Sequence, residues 1–251
     1  MGVVNITPDS FSDGGRYLDP EAAIAHARQL ARDGADIIDL GGESTRPGAA
    51  RVSEQEELQR VLPVLEKLQD LCVSVDTRRP AVMKAVLEAG ASMINDVEAL
   101  GAPGALDAVA KASCAVCLMH KKGDPATMQR DPRYADVVGE VKSFLKEMVK
   151  VATSSGIDAA RIVVDPGFGF GKTAEHNLAL LRCLSELSDF PILAGLSRKS
   201  TIGKITGRAV EDRLAGSLAM ALLALQGGAT ILRVHDVKET RDVIAIWEAF
   251  R

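Results

Sequence analysis

Four cysteines in 251 residues are too few to staple a chain of this length, so its stability has to come from a packed core rather than a disulfide framework. Cys72, Cys114, Cys117 and Cys183 sit among apolar neighbours, where reduced thiols serve as small hydrophobes. Cys114 and Cys117 have the spacing of half a zinc or redox motif, but no second C-x-x-C and no H-x₃-H supplies further ligands. An excess of one charge is lacking as well. Lys and Arg number 30 against 34 Asp and Glu, a net charge of −4, so no basic field exists to hold nucleic acid or an anionic membrane. No apolar run nears the ~18 residues of a membrane span. No basic segment followed by an apolar one opens the sequence, and a cytoplasmic location is expected. No Ser/Pro/Gly linker divides the chain, which reads as one domain over residues 1–251.

What is present is a core and a repeat. Hydrophobic residues make up 47% and charged residues 25%, the balance of a globular domain with a large interior. One pattern recurs: a helix-period stretch, a Gly-Ala pair, then a short β-rich run ending in a polar residue. Gly34-Ala35-Asp36-Ile37-Ile38-Asp39, Gly90-Ala91-Ser92-Met93-Ile94-Asn95 and Gly228-Ala229-Thr230-Ile231-Leu232-Arg233 are near copies. The glycine predicts a left-handed helix end, and the run after it a buried parallel strand. Eight such strands are predicted: Val3–Ile6, Ile37–Leu40, Val73–Val75, Met93–Asn95, Ala115–Leu118, Ile162–Val164, Ile192–Ala194 and Ile231–Val234. Helices are predicted between them at Pro20–Arg32, from the capping box Ser53-x-x-Glu56 to about Leu68, and at Pro80–Glu88, Gly104–Ala112, Asp136–Ser154, Ala174–Leu187, Glu211–Gln226 and Val237–Phe250.

Strict alternation of strand and helix means an α/β fold, either an open doubly wound sheet or a closed barrel. The strand ends decide between them. Asn5, Asp39, Asp76, Asn95, His120, Asp165, Lys199 and Arg233 fall at or just beyond the C-terminal ends of their runs. An open sheet gathers its reactive groups near one switch point. A polar residue on every strand predicts a (β/α)₈ TIM barrel with its site at the top face.

Asp165-Pro-Gly-Phe-Gly-Phe-Gly-Lys172 is glycine-rich but is no P-loop, because Pro166 stands where that motif needs Gly. It reads as a strand-tip carboxylate followed by a loop that lets a flat ligand approach the backbone. Asp76, Asn95, Asp165 and Lys199 offer two acceptors, an amide and a donor. That inventory suits a flat heterocycle with N–H donors on one edge and a carbonyl on the other. Arg233 and His235 after the last strand, beside Asn5 on the first, predict an anion site with room for a hard divalent cation. The Ser197-Arg-Lys-Ser200 turn offers N–H groups and a hydroxyl to a carboxylate. Two polar loops, Thr7–Gly15 and Gly41–Gly48, are longer than a barrel needs and are placed to close over a substrate.

Taken in order, Asn5-Ile-Thr-Pro-Asp-Ser-Phe11, Gly41-Gly-Glu-Ser-Thr-Arg-Pro-Gly48, Ser74-Val-Asp-Thr77, Ile94-Asn-Asp96, Leu118-Met-His120, Asp165–Lys172, Ser197–Ser200 and Arg233-Val-His-Asp-Val237 resemble the motifs of the dihydropteroate synthase family of pterin-binding barrels. The resemblance implies condensation of 6-hydroxymethyl-7,8-dihydropterin pyrophosphate with p-aminobenzoate, giving 7,8-dihydropteroate and pyrophosphate, by a cytoplasmic homodimer acting on small molecules. By the same resemblance Asp76, Asn95, Asp165 and Lys199 hold the pterin, with Met119 lining its slot. Asn5 binds Mg²⁺ and pyrophosphate, joined by Arg233 and His235. Ser200 receives the aminobenzoate carboxylate, and Phe11, Thr45, Arg46, Pro47 and Phe168 wall its ring. Asp76 apart, Asp-Thr-Arg-Arg-Pro at 76–80 and His-Lys-Lys-Gly at 120–123 read as local variation outside the catalytic set. The alternatives are a methyltetrahydrofolate-binding methyltransferase barrel, which would lack the first two loops and Ser197–Ser200, and a module that holds a pterin without turning it over. A generic phosphate-binding barrel would not need the Asp76, Asn95 and Asp165 set.

Overall fold

The computed structural model describes residues 1–7, 19–44, 52–124, 127–187 and 189–251. Eight parallel strands follow one another in chain order: β1 (Gly2–Asn5), β2 (Ile38–Gly41), β3 (Val73–Asp76), β4 (Met93–Asp96), β5 (Ala115–Met119), β6 (Ile162–Asp165), β7 (Leu193–Ala194) and β8 (Ile231–Leu232). β1 to β6 pair successively and β7 pairs with β8. Single bridges, Val164 to Ile192 and Gly2 to Val234, join the two pieces at both edges. The sheet therefore closes on itself as the barrel expected from the strand ends. Last-strand closure is tight, with Val3 N–H donating to Val234 O at 3.1 Å and Val234 N–H to Met1 O at 3.0 Å.

Helices α1 (Pro20–Arg32), α2 (Glu54–Glu66), α3 (Pro80–Glu88), α4 (Ala105–Ala110), α5 (Val137–Ser154), α6 (Ala174–Arg182), α7 (Ser200–Thr206), α8 (Leu214–Gln226) and α9 (Val237–Phe250) are the helices among the described residues. The Gly-Ala repeat ends three of them as its spacing predicts. Gly34, Gly90 and Gly228 have φ of +100°, +96° and +92°. The alanine after each donates five residues back, Ala35 to Leu30 O, Ala91 to Val86 O and Ala229 to Ala224 O, all at 2.9 Å, which satisfies carbonyls the helix leaves open.

Three boundaries differ from the periodicity. The stretch Ala174–Leu187 stays α-helical to Arg182 and tightens into a 3₁₀ turn at Leu184–Glu186. The predicted Glu211–Gln226 helix begins at Leu214, after a 3₁₀ turn at Val210–Asp212. An additional helix, α7, precedes it and ends at Gly207 (φ +71°). Arg213 stands at the start of α8 and ties it to the preceding chain, its guanidinium donating to Arg198 O at 3.0 Å and Arg208 O at 3.1 Å. The capping box at Ser53 is half made. Ser53 Oγ accepts from Glu56 N–H at 3.1 Å, while the Glu56 carboxylate pairs with Arg60 instead.

A strand period of two sends alternate residues inward and outward. Val4, Leu40, Val75, Ile94, Val116, Leu118, Ile162 and Val164 are buried in the main core, between the barrel wall and the helices. Met1, Met93, Cys117, Val163 and Leu193 form a second cluster inside the barrel. Moving two residues toward the C-terminal end of those strands reaches Asn95, Met119, Asp165 and Gly195. The barrel is thus plugged by apolar side chains below and opens into polar ones above. Cys114 and Cys117 divide between the two clusters as unpaired thiols, and Cys72 is exposed, contrary to its apolar sequence context.

Candidate active site

A cavity of 670 Å³ opens at the C-terminal ends of the strands, within the size range of small-molecule sites. Asn5, Asp76, Asn95, Met119, Asp165, Lys199, Ser200, Arg233 and His235 all line it, so the structure brings together one residue or more from seven strands or their tips. Register accounts for part of this convergence, since Asn5 pairs with Gly41, Gly41 with Asp76, and Asp76 with Asn95. Met119 pairs with Asp165 on the other side. Phe11, Thr45, Arg46 and Pro47 lie outside the described residues. Thr7, Glu43 and Ser44, just ahead of the two undescribed segments, line the cavity.

Two strand-end residues do not reach it. Asp39 lies one layer down, fully buried, where Arg233 Nε donates to its Oδ2 at 2.6 Å and Asn95 Nδ2 at 3.3 Å. Arg233 also donates to Asp76 Oδ2 at 3.2 Å. Asp39 therefore works from beneath, fixing Arg233 and assigning the Asn95 amide so that its oxygen is left for a ligand. His120 turns outward and packs edge-on against Phe144, with centroids 4.9 Å apart.

Phe168 is corrected. Its ring is 1% exposed in the main core and does not line the cavity, whereas Phe170 does. Glycines with φ of +68°, +81° and +65° at 167, 169 and 171 decide which of the two rings faces inward, and a one-dimensional Phe-Gly-Phe pattern cannot show that. Lys199 ties the segment to the site: its Nζ donates to Phe168 O and stands 4.6 Å over the Phe170 ring, a cation–π contact. Gly169 N–H donates to Asn177 Oδ1, and Asn177 Nδ2 to Thr201 Oγ1, both at 2.9 Å, which locks the loop to α7.

The arginines of the 76–80 segment, read as local variation, prove structural. Glu57 is almost fully buried and pairs with Arg79, and Arg79 also reaches Glu43 at 2.8 Å. Arg78 pairs with Glu43 at 3.0 Å. The Arg79 guanidinium donates to Val52 O and Glu43 Oε1 accepts from Val52 N–H at 3.3 Å, so one ion network holds the residues flanking 45–51. Glu57 lies on the face of α2 that carries Val61, Val64 and Leu65, so its helical spacing marks a buried carboxylate, while its partners lie too far along the chain for the sequence to name.

Electrostatically the floor is under tension. Burial pushes the Asp76 carboxyl up to about 7 against the opposing pull of Arg233. Burial likewise raises Asp165, although Lys199 and the Gly167 N–H oppose it. Gly167 N–H donates to Asp165 Oδ1 at 2.7 Å. Lys199 is lowered to about 8, by burial first, with Asp165 resisting. Burial works against the Arg233 charge too, but Asp39 and Asp76 outweigh it and hold the guanidinium above its ordinary value. Two carboxylates and two cations, partly or wholly withdrawn from solvent and facing one cavity, are a charge arrangement that a ligand with N–H donors and an anionic arm would complete.

A family model described as pterin binding enzyme matches residues 1–235. The chain is 48% identical to the dihydropteroate synthase of Escherichia coli strain K12, over 99% of this chain and 90% of that one. It superposes on the Yersinia pestis dihydropteroate synthase, solved with a sulfonamide drug, with a TM-score of 0.97 at 48% identity, covering 100% of this chain and 93% of that one. The Xanthomonas albilineans dihydropteroate synthase in complex with 7,8-dihydropteroate gives 0.89 at 50% identity, covering 100% and 92%. With the site's donors and acceptors arranged as described, these matches place the chain in the pterin-binding enzyme family, among the dihydropteroate synthases.

Proposed function

We propose that the cavity condenses 6-hydroxymethyl-7,8-dihydropterin pyrophosphate with p-aminobenzoate to give 7,8-dihydropteroate and pyrophosphate. The observation that carries this reading is the pair of buried carboxylates, Asp76 and Asp165, facing one cavity with Lys199 and Arg233. Asp165 and Asp76 would accept from the pterin N–H edge, and Asn95 and Lys199 would meet its other polar atoms, with Met119 against its face. Arg233 and His235 would hold the pyrophosphate. Ser200, exposed at the rim of the same cavity, would take the aminobenzoate carboxylate, with Phe170 under the ring and Phe11, Thr45, Arg46 and Pro47 completing the enclosure.

As the C–O bond to pyrophosphate weakens, the electron-rich dihydropterin is left as a planar cation. Asp76 and Asp165 favour that charge, and Arg233 favours the departing anion. The aniline nitrogen then adds to the exocyclic carbon and loses its proton, a step that needs no strong base. Asn5 suits a Mg²⁺ ion carried on the pyrophosphate. Gly41 stands beside it, and a Cβ there would come within 3.5 Å of Asn5 Oδ1, so the glycine keeps the space next to that oxygen open. One protein oxygen plus phosphate oxygens and waters is an ordinary Mg²⁺ environment, and when bound the ion supplies charge against the leaving group.

Purified protein given both substrates and Mg²⁺ should form 7,8-dihydropteroate, identified by chromatography. Formation of no product, with pterin bound, would favour the module that holds a pterin without turnover. Binding should be ordered. A bound pterin pyrophosphate supplies much of the surface that aminobenzoate touches, so aminobenzoate should bind about tenfold or more weakly without it. Equal affinity in its absence, measured by calorimetry, would contradict this order.

Affinity for a pterin lacking the pyrophosphate should depend on pH. Asp76 accepts best when ionised, and burial has raised it to about 7, so affinity should be full above pH 7. Below that it should fall, by up to about tenfold per unit as the carboxyl must first give up its proton. Titrations from pH 5.5 to 8.5 check this, and the Asp76→Asn protein should lose the dependence due to this group. A flat wild-type profile would remove Asp76 from the contact set.

Among the described residues no helix is long and apolar enough to cross a membrane, and the cytoplasmic location remains part of this reading. Leu223 on α8 and Ile246 and Phe250 on α9 are 48%, 70% and 85% exposed, which supports a homodimer through the last helices. Sedimentation should give twice the chain mass.

A further inference from the structure

A segment with three left-handed glycines turns its carbonyls toward its own interior, and those oxygens need a donor. Gly167 and Gly171 press that segment against the chain leaving β5. A Cβ at Gly167 would meet His120 O at 1.8 Å, and one at Gly171 would meet Lys122 O at 2.1 Å. The donor that serves this junction is Lys172, 2% exposed. Its Nζ donates to Gly167 O at 3.0 Å, Phe170 O at 3.1 Å and His120 O at 3.4 Å, and lies 2.8 Å from His120 Nδ1.

A charged ammonium has no acceptor, so with Lys172 protonated His120 Nδ1 accepts and the ring carries its proton on Nε2. Its three hydrogens serve four acceptors, the 3.4 Å contact to His120 O being shared. Burial agrees, lowering the His120 pKa to about 3, with the Lys172 charge adding to it. Among the described residues no carboxylate lies within ion-pair distance of Lys172. Burial lowers the Lys172 pKa to about 7 while Asp165 supports its charge, but the Asp165 Oδ1 is engaged by Gly167 N–H. The lysine is thus held by dipoles rather than by a counter-ion. His120 N–H in turn donates to Asp165 O at 2.9 Å, so Met119, Asp165 and Phe170 all stand one or two residues from an atom that Lys172 or His120 grips.

We infer that Lys172, accepted by His120, is a positioning residue for the pterin slot, fixing the tips of β5 and β6 so that Met119, Asp165 and Phe170 meet the ring at fixed separations. It touches neither substrate and does not line the cavity. The inference rests on the synthase reading above and adds to it a residue pair that the Asp76, Asn95, Asp165 and Lys199 set omits. A displacement near 1 Å of groups that position a reacting ring costs up to about a hundredfold, which sets the scale of the expected effect.

The test compares two ligands on the full chain by calorimetry: pterin pyrophosphate, and inorganic pyrophosphate alone, which Arg233 and His235 hold on the far side of the site. Lys172→Met keeps the length and removes the donor. It should weaken pterin pyrophosphate at least about tenfold while leaving pyrophosphate within about twofold. Folded Lys172→Met protein with unchanged pterin affinity would overturn the inference, and so would parallel loss of both ligands. Should that variant fail to fold, His120→Leu and His120→Gln decide. Leu removes the Nδ1 acceptor and should weaken the pterin arm alone, and Gln restores an acceptor and should recover most of it. Equal behaviour of the two would also overturn it. Failure of the wild-type protein to bind pterin pyrophosphate would instead overturn the synthase reading itself.

Discussion

Asp165→Asn is expected to weaken pterin binding by about 2–4 kcal/mol, or about thirtyfold to a thousandfold in dissociation constant. The carboxylate is 6% exposed and already accepts from Gly167 N–H at 2.7 Å. Its remaining acceptor capacity points at the ligand. An amide keeps one acceptor and brings a donor against a pterin edge that offers donors, so a charge-assisted bond is lost and a mismatch is created in a dry slot. Pyrophosphate alone should bind the variant within about twofold of wild type, because its contacts are to Arg233 and His235. Calorimetry on the two ligands separates these effects, and unchanged pterin affinity would take Asp165 out of the site.

Arg233→Met should reduce activity below detection and also destabilise the fold by about 3 kcal/mol, the lower end of the cost of leaving a buried charge without its partner. The lower end applies because the guanidinium is 21% exposed, toward the cavity, while Asp39 beneath it is 0% exposed. Asp39 Oδ1 has no partner of its own, so Arg233 at 2.6 Å carries much of the compensation for that carboxylate. Without the arginine, which opposes the effect of burial, the Asp76 carboxyl is raised further. A carboxyl whose folded value lies above its unfolded one costs stability once pH exceeds the unfolded value, and the cost is complete above the folded value. The deficit of Arg233→Met relative to wild type should therefore grow from about pH 7 to pH 9. Adding Asp39→Asn should recover part of the stability without restoring turnover. Urea titrations across that range check it, and a deficit that ignores both pH and the second substitution would mean that the pair contributes no stabilising contact.

The two substitutions show which parts of the site were legible. Polar residues closing β-rich runs revealed the barrel and, with it, Asp76, Asn95, Asp165, Lys199 and Arg233, because a strand period of two fixes which side of the wall each occupies. Asp39 and His120 obey the same pattern yet miss the cavity. Asp39 is one layer too deep, two residues before the level of Gly41 and Asp76, and His120 lies past the end of β5, where the chain has already turned. The Phe168 and Phe170 exchange has the same origin, since alternation ends at Asp165 and left-handed glycines take over. Long-range ion networks were illegible for another reason. Glu57, Arg79 and Glu43 come from three separate segments, and nothing in the order of the chain says that they meet, even though Glu57 falls on the apolar face of α2.

In the proposed reaction Asp76 and Asp165 stabilise a pterin cation formed as pyrophosphate departs, before nitrogen attacks. Positional isotope exchange tests it most directly. Pterin pyrophosphate labelled with ¹⁸O in the bridge between carbon and phosphorus is incubated with the protein and Mg²⁺ but no aminobenzoate, then recovered. Label should move from the bridging to the non-bridging positions of the recovered substrate, and Asp165→Asn protein saturated with substrate should scramble more slowly. Label that stays in the bridge, under conditions where added aminobenzoate gives rapid product, would contradict it and make attack and departure a single step.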